Sequence, residues 1–199
     1  MKLHYSNTSP FVRKVMAAAH ELGLVAQIDI IVTNAHQDES LRADNPLCKV
    51  PTLLRPGLAT LIDSPVICDY LNELAQGPLI PAQGEERVAV LRLQAIADGM
   101  MDAAVGRRME QLRPEAERSA AYDARQAKAV QAALDLLEQE ADALRDPPRL
   151  GELALACALG YLDFRFAADA WRTQHPRLAA WYATISQRPS IALTAPPAA

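Results

Sequence analysis

From Glu85 onward the sequence contains no convincing β-strand. It is rich in Ala, Leu, Glu and Arg, and its apolar residues return at helical spacing. The first eighty residues differ, mixing short β-branched runs with helical patterns. A shift of this kind admits few architectures. It predicts an α/β domain over residues 1–76, a connection over 77–84 whose Gly-Pro-Leu-Ile-Pro-Ala-Gln-Gly composition forbids helix, and an all-α helical bundle over 85–199. The length of 199 residues suits one large domain or two small ones.

In the first domain, Leu3–Tyr5 reads as a strand leading into Ser6-Asn7-Thr8-Ser9-Pro10-Phe11. Ser9 stands at an N-cap and Pro10 at the first helical position, where its missing N–H costs nothing. Val12, Val15, Ala19 and Leu22 form the apolar stripe of the helix that follows. Gln27–Thr33 is predicted as a second strand, with Ile28, Ile30 and Val32 on one face and Ile31 on the other, completing a right-handed βαβ unit. Asn34–Asn45 is a polar loop with a short helix. Pro51 cannot donate to a ladder and belongs at the first position of a strand or in a tight turn; Thr52–Leu54 and Leu58–Ile62 then pair as a hairpin around Pro56-Gly57. Ser64-Pro65 repeats the cap-then-proline device, with Val66, Ile67, Tyr70, Leu71 and Leu74 as the buried stripe of the helix it opens.

In the second domain, Glu85–Leu112 is a long helix softened by Gly99 and Gly106, and Pro114 starts the next one. There Val130, Leu134, Leu137, Ala141 and Leu144 keep an apolar stripe until Asp146-Pro147-Pro148 ends it. Leu150–Ala168 is apolar nearly all round, the pattern of a helix at the centre of a bundle. Pro176–Gln187 is a further helix, and the Ala/Pro tail beyond it is expected to fray.

The formal charge of −4 leaves no footprint for nucleic acid, and the pairs Arg13-Lys14 and Arg107-Arg108 read as solvated helix faces. The longest apolar run, Leu153–Leu162, falls far short of the ~20 residues that span a bilayer, and no secretory pattern opens the chain. A soluble, cytoplasmic protein is expected, with no membrane partner. Cys48, Cys68 and Cys157 are too few and too widely spaced for a disulfide scaffold, and His4, His20, His36 and His175 show no ligand spacing, so no metal is expected.

Three segments carry a resemblance to a known family: Asn-Pro-Leu-Cys-Lys-Val-Pro-Thr-Leu at Asn45–Leu53, Asp-Ser-Pro-Val-Ile at Asp63–Ile67, and Ala-Leu-Gly-Tyr-Leu-Asp-Phe at Ala158–Phe164. In this order and spacing the chain resembles, over essentially its whole length, the glutathione S-transferase family, in its bacterial form with a serine/cysteine-type N-terminal motif. The resemblance implies a thioredoxin-like first domain, a cis Val50–Pro51 bond, and a Val50 main chain that pairs with the cysteinyl part of glutathione. It implies that Asp63 and Ser64 hold the γ-glutamyl end, although the usual acid there is the longer Glu. Lys49 either reaches the glycyl carboxylate or is a solvated loop lysine. Asp98 contacts glutathione across a homodimer interface or is an exposed helix carboxylate, while Asp163 is structural. Phe11 lies against glutathione and, with Met100 and Met101, around a pocket for a small hydrophobic electrophile, the alternative for the methionine pair being core. Glutathione is then a co-substrate, no other cofactor is needed, and the role is detoxification. One departure stands out: the family opens its buried helix with a hydroxyl cap, whereas this chain reads Arg149-Leu150-Gly151-Glu152. Losing part of the reciprocal capping costs about 0.5–2 kcal/mol unless a neighbour compensates.

In the thioredoxin fold a reactive thiol stands at the start of the first helix, and here Ser9-Pro10-Phe11-Val12 holds no sulfur. The thiol must come from the ligand. Lowering a thiol pKa from about 8.5 by about 2 units takes roughly 2.7 kcal/mol. A hydroxyl donating to a thiolate, about 1.5–3 kcal/mol, together with about 0.3–1 kcal/mol from the helix end, supplies it. Ser9 is the first choice for that hydroxyl, with Thr8 and Ser6 behind it; Tyr5 stands where other classes place a tyrosine, but the Ser-Pro-Phe context argues against it. If Ser9 is wholly used as a cap, Thr8 or a backbone amide takes its place. The function this implies is glutathione transfer to an electrophile. The alternative is a glutathione-binding or regulatory protein of the same fold with little turnover, and a thiol-disulfide oxidoreductase is disfavoured by the missing cysteine.

Overall fold

The computed structural model describes residues 1–35 and 37–197, so His36 and the end of the Ala/Pro tail lie outside it. Strand β1 (Lys2–Tyr5) is central in a three-stranded sheet. It runs parallel to β2 (Asp29–Val32) and antiparallel to β3 (Thr52–Leu54), in the order β2-β1-β3. Helix α1 (Pro10–Glu21) makes the crossover between β1 and β2, as the sequence predicts. The short α2 (Leu41–Asp44) and then α3 (Ser64–Leu74) complete this thioredoxin-like part. The helical part comprises α4 (Glu85–Leu112), α5 (Ala120–Gln139), α6 (Leu150–Arg165), α7 (Trp171–Gln174), α8 (Pro176–Ile185) and α9 (Pro189–Ala192).

Helix α6 is enclosed from Leu150 to Leu162, which explains its all-round apolarity. It packs chiefly on α4, where Gly151 lets the backbones approach: a Cβ there would meet Leu93 at 2.9 Å. Helix α1 joins the two parts, packing on α3 on one side and on α6, α9 and α4 on the other.

Several expectations are corrected. Ile30 and Val32 are exposed because β2 is the free edge of the sheet. The second arm of the hairpin reduces to one bridge, Leu53 to Leu61, because the intervening chain is held as a turn in which the Arg55 guanidinium donates to Ala59 O. Pro114 opens only a single 3-10 turn, and α5 starts at Ala120 under a Ser119 cap that accepts from Tyr122 N–H. On α3 the buried stripe is Ile67, Cys68 and Leu71, while Val66 and Leu74 face outward. The tail does not fray at once. Residues 189–192 form α9, with Ile191 fully buried and Ser190 bonded to Glu21, which also holds Arg188 at 2.6 and 2.8 Å. Arg13, Lys14 and Arg107 are buried rather than solvated, since α1 and α4 are covered on more than one face.

At the α6 start Glu152 provides the compensation: its carboxylate accepts from Arg149 N–H at 3.0 Å and Arg145 N–H at 3.3 Å. Two orphan donors are thereby satisfied without a hydroxyl cap.

Candidate functional site

The strand register gathers the predicted residues at one end of the sheet. With His4 opposite Thr52 in an antiparallel pair, continuing the count brings Ser6 level with Val50. With Leu53 opposite Leu61, the same count brings Asp63 level with Pro51. The Ser6–Ser9 loop, the Val50–Pro51 turn and the start of α3 thus form one row.

Ser9 caps α1 as predicted, its Oγ accepting from Val12 N–H at 3.3 Å. A hydroxyl offers one donor and two lone pairs. Capping uses a lone pair and leaves the Ser9 proton available, so the cap and the thiolate donor are compatible roles. Thr8 and Ser6 share a hydrogen bond at 3.3 Å, which leaves one of their two hydroxyl protons uncommitted. Phe11 is half-buried against the core.

The Val50–Pro51 bond is cis, and among the described residues neither the N–H nor the C=O of Val50 meets a partner. Asn45, missed as a site-building residue, fixes this turn. Its buried side chain donates to Lys49 O at 3.0 Å and Thr52 Oγ1 at 2.9 Å, and accepts from Leu47 N–H at 2.9 Å. Lys49 itself is exposed, with no carboxylate in ion-pairing range among the described residues.

At the α3 start the roles differ from those expected. The N-cap is Asp63, whose carboxylate accepts from Ser64 N–H; Ser64 is the first helical residue and Pro65 the second. Ser64 is fully buried and its hydroxyl has no partner. Asp98, expected near the ligand, is bound by Lys14, and Asp102, one turn further along α4, is more exposed. Desolvation pushes the pKa of both carboxyls up. Lys14 opposes this at Asp98; at Asp102 the Asp63 and Asp98 charges add to it, while Lys49 and Lys14 oppose it. The surroundings of Asp102 and Asp63 are therefore acidic.

A narrow cleft beneath the Ser9 cap is lined by Asn7, Thr8, Ser9, Arg13, Tyr161 and Pro196, among others. Burial pushes the Tyr161 phenol up, against the pull of Arg165 and Arg108. The methionines expected to line a pocket, Met100 and Met101, are instead buried in the core. Cys68 and Cys157 are free thiols that burial pushes up to about 12 and about 11, which removes them from nucleophilic chemistry. His4 is tied to Thr33 and Asp44, His175 to Trp171 O and Asp135, and Asp163 to Trp171 and Arg172. Among the described residues no group of three His, Cys, Asp or Glu could hold a metal ion.

A thioredoxin-like sheet with a cis-proline turn, fused to a helical domain, with Ser9-Pro10 rather than a cysteine opening the first helix, defines the class of two-part protein to which this chain is assigned. The chain belongs to the glutathione S-transferase family. Residues 8–74 match the family pattern described as glutathione S-transferase, N-terminal domain, and residues 110–184 match its C-terminal domain. It is 36% identical over 204 residues to the uncharacterized GST-like protein YibF of Escherichia coli (strain K12), covering 100% of both chains. Among solved structures, it is similar to a glutathione transferase family member from Pseudomonas fluorescens Pf-5 with bound glutathione: 41% identity, TM-score 0.93, 98% of each chain covered. A structure of a family member from the same strain holds S-(propanoic acid)-glutathione; there the TM-score is 0.90 at 41% identity, covering 99% of this chain and 100% of that one. A glutathione S-transferase from Methylobacillus flagellatus KT with glutathione bound gives 0.90 at 36% identity, covering 98% and 99%.

Proposed function

We propose that this protein is a glutathione transferase that activates the thiol of bound glutathione for attack on an electrophile. The observation that carries this reading is the Ser9 hydroxyl, held at the start of α1 by Val12 N–H with its own proton unused, in the row that ends at Val50 and Pro51. The free N–H and C=O of Val50 pair with the cysteinyl unit, which brings its sulfur to the α1 start. Ser9 donates to the thiolate, and Thr8 is the second donor in reach of the same cleft. The orphan Ser64 hydroxyl gains an acceptor in the γ-glutamyl carboxylate, and Asp63, with Asp102 and Asp98 behind it, attracts the ammonium. Lys49 faces the glycyl carboxylate. The protein contributes thiolate stabilisation and proximity, without a covalent intermediate.

The bound glutathione and S-(propanoic acid)-glutathione of the Pseudomonas fluorescens proteins, at 41% identity, support glutathione as the ligand here. We place the domain boundary in residues 77–84 and the protein in the cytoplasm, in a detoxifying role; no helix among the described residues is long and apolar enough to cross a membrane. A homodimer is supported by Val66, Tyr70 and Leu74, which follow one another at i, i+4, i+8 on the outer face of α3, and by exposed Val88 and Leu91 on α4.

The test is calorimetric binding of glutathione, followed by conjugation of 1-chloro-2,4-dinitrobenzene by the wild type and Ser9→Ala. Binding with turnover that falls at least about ten-fold in Ser9→Ala is expected, the loss of a charge-assisted hydrogen bond. Binding without turnover would establish the glutathione-binding protein instead, and no binding would overturn both readings.

A further inference from the structure

Arg13 and Tyr161 line the cleft beneath Ser9, Arg165 follows Tyr161 by one turn on α6, and the Arg165 and Arg108 charges act on the Tyr161 phenol; among the described residues none of these three arginines has a carboxylate in ion-pairing range. The cations next to them are neutralised, Arg107 by Asp123 and Asp169 and Arg172 by Asp163. Asp123, Asp169 and Asp163 are thereby taken, and Arg13, Arg108 and Arg165 keep their positive charge unpaired in a protein of net charge −4.

Arg13 makes the site more than a surface patch. It is only 8% exposed and lines the cleft beneath Ser9. One of its amino groups donates to Ile191 O at 3.0 Å, but its buried Nε has no partner. The Nε of Arg165 is likewise buried without one, and its guanidinium carbon sits over the Phe164 ring, 3.8 Å from the centroid. A buried cation with an unmet donor is costly unless an anion arrives to meet it. A planar guanidinium stacked on a ring is also well prepared for a carboxylate, since little rotamer freedom remains to be lost. Tyr161, in the lining of the cleft, adds a hydroxyl donor whose ionisation burial opposes.

Resting on the transferase reading, we propose that the electrophile carries a carboxylate, bound by Arg108 and Arg165 with Tyr161, in the cleft beneath Ser9 that Tyr161 and Arg13 line. Arg13 acts behind them, its charge raising the positive potential of the cleft. The electrophilic carbon then lies between the carboxylate and the thiolate at Ser9. With 4-chloro-3-nitrobenzoate as probe, the glutathione thiolate forms a C–S bond at the ring carbon bearing chlorine. The C–Cl bond breaks and chloride leaves with its electron pair, the thiol proton having gone to solvent.

The test compares two conjugates of glutathione, one made from 4-chloro-3-nitrobenzoate and one from its methyl ester, by calorimetry. Wild type should bind the carboxylate conjugate about ten-fold more tightly than the ester, which is about 1.4 kcal/mol. Arg108→Gln and, separately, Arg165→Gln should reduce that preference to about two-fold or less, consistent with the worth of one charge-assisted hydrogen bond. Equal affinity of the wild type for the two conjugates, or a preference that survives in both variants, would overturn the proposal. A preference without turnover of either chlorinated probe leaves the carboxylate site standing and removes the transferase. Turnover of both probes in proportion to their uncatalysed rates, with equal binding, does the reverse. If neither conjugate binds, both fall.

Discussion

The Lys14 ammonium donates to both carboxylate oxygens of Asp98, at 2.6 and 2.8 Å, and so ties α1 to α4. Lys14 is completely buried and its partner is 84 positions away in sequence. Breaking such a pair from one side strands a charge, so Asp98→Ala should cost about 3–5 kcal/mol in denaturant unfolding. The double variant Lys14→Met with Asp98→Ala should recover much of that loss. Additive losses in the two single variants would show that the residues act independently.

The pH dependence of stability should carry an acid-side signature from Glu21. The Arg188 hydrogen bond chiefly, and then Ser190, hold its carboxyl below the ordinary value despite desolvation. A depressed folded pKa gives stability that is present above the unfolded value of about 4.3 and lost as pH falls through the lower folded value. Glu21→Gln should therefore cost of the order of 1 kcal/mol at neutral pH and progressively less as pH falls through the folded value. Asp98 has the opposite sign: its raised pKa means that stability declines as pH rises from the unfolded value toward the folded one. Unfolding free energies of wild type and Glu21→Gln across this range measure the first effect directly.

Ser9→Ala should separate two jobs of one hydroxyl. Losing the cap should lower stability by about 0.5–2 kcal/mol. Losing the donor should raise the pKa of bound glutathione by about 1–2 units, read from thiolate absorbance in the ultraviolet. Unchanged thiolate absorbance with the stability loss intact would transfer the donor role to Thr8.

At Ser64 the same substitution should act in the opposite sense on the free protein. An orphan buried hydroxyl costs about 1–3 kcal/mol, so Ser64→Ala should leave the melting temperature unchanged or raise it. Glutathione affinity should fall by about ten-fold, for the lost hydrogen bond. A destabilised variant that binds glutathione normally would remove Ser64 from the site.

Gly160 leaves no room for a methyl group. A Cβ there would sit 2.1 Å from Arg13 Nη1 and 2.6 Å from the Tyr182 hydroxyl. Gly160→Ala should cost about 1–3 kcal/mol through overpacking and displace Arg13, which thermal melting and the carboxylate preference would report together.

Local chemistry made much of this fold readable. Helix α4 is found at its predicted ends because Gly84 and Pro114 flank it, and α1 begins where Ser9-Pro10 says it must. Remote partners made the rest unreadable. Arg13, Lys14 and Arg107 look like solvated charges in sequence, yet Lys14 is buried against Asp98 and Arg107 against Asp123 and Asp169, none of them a sequence neighbour. Helices α7 and α9, of four residues each, are too short to display a period. At the candidate site, the Ser9 cap and the Pro51 turn were legible because cap and turn chemistry is local, whereas Val50 and Asp63 came only with the family resemblance. The Asn45 bracing and the unpaired arginines were not legible, because each depends on which segments the register and the bundle bring together. The exchange of roles between Asp63 and Ser64 turns on a single residue of helix start, finer than composition resolves.

Because α1 contributes one face to the sheet domain and another to the helical bundle, neither half has a complete core without it. The two halves should melt as one cooperative unit, giving a single calorimetric transition whose van't Hoff and calorimetric enthalpies agree. Any ligand that grips the α1 start will raise the melting temperature of the whole chain, including helices it never touches.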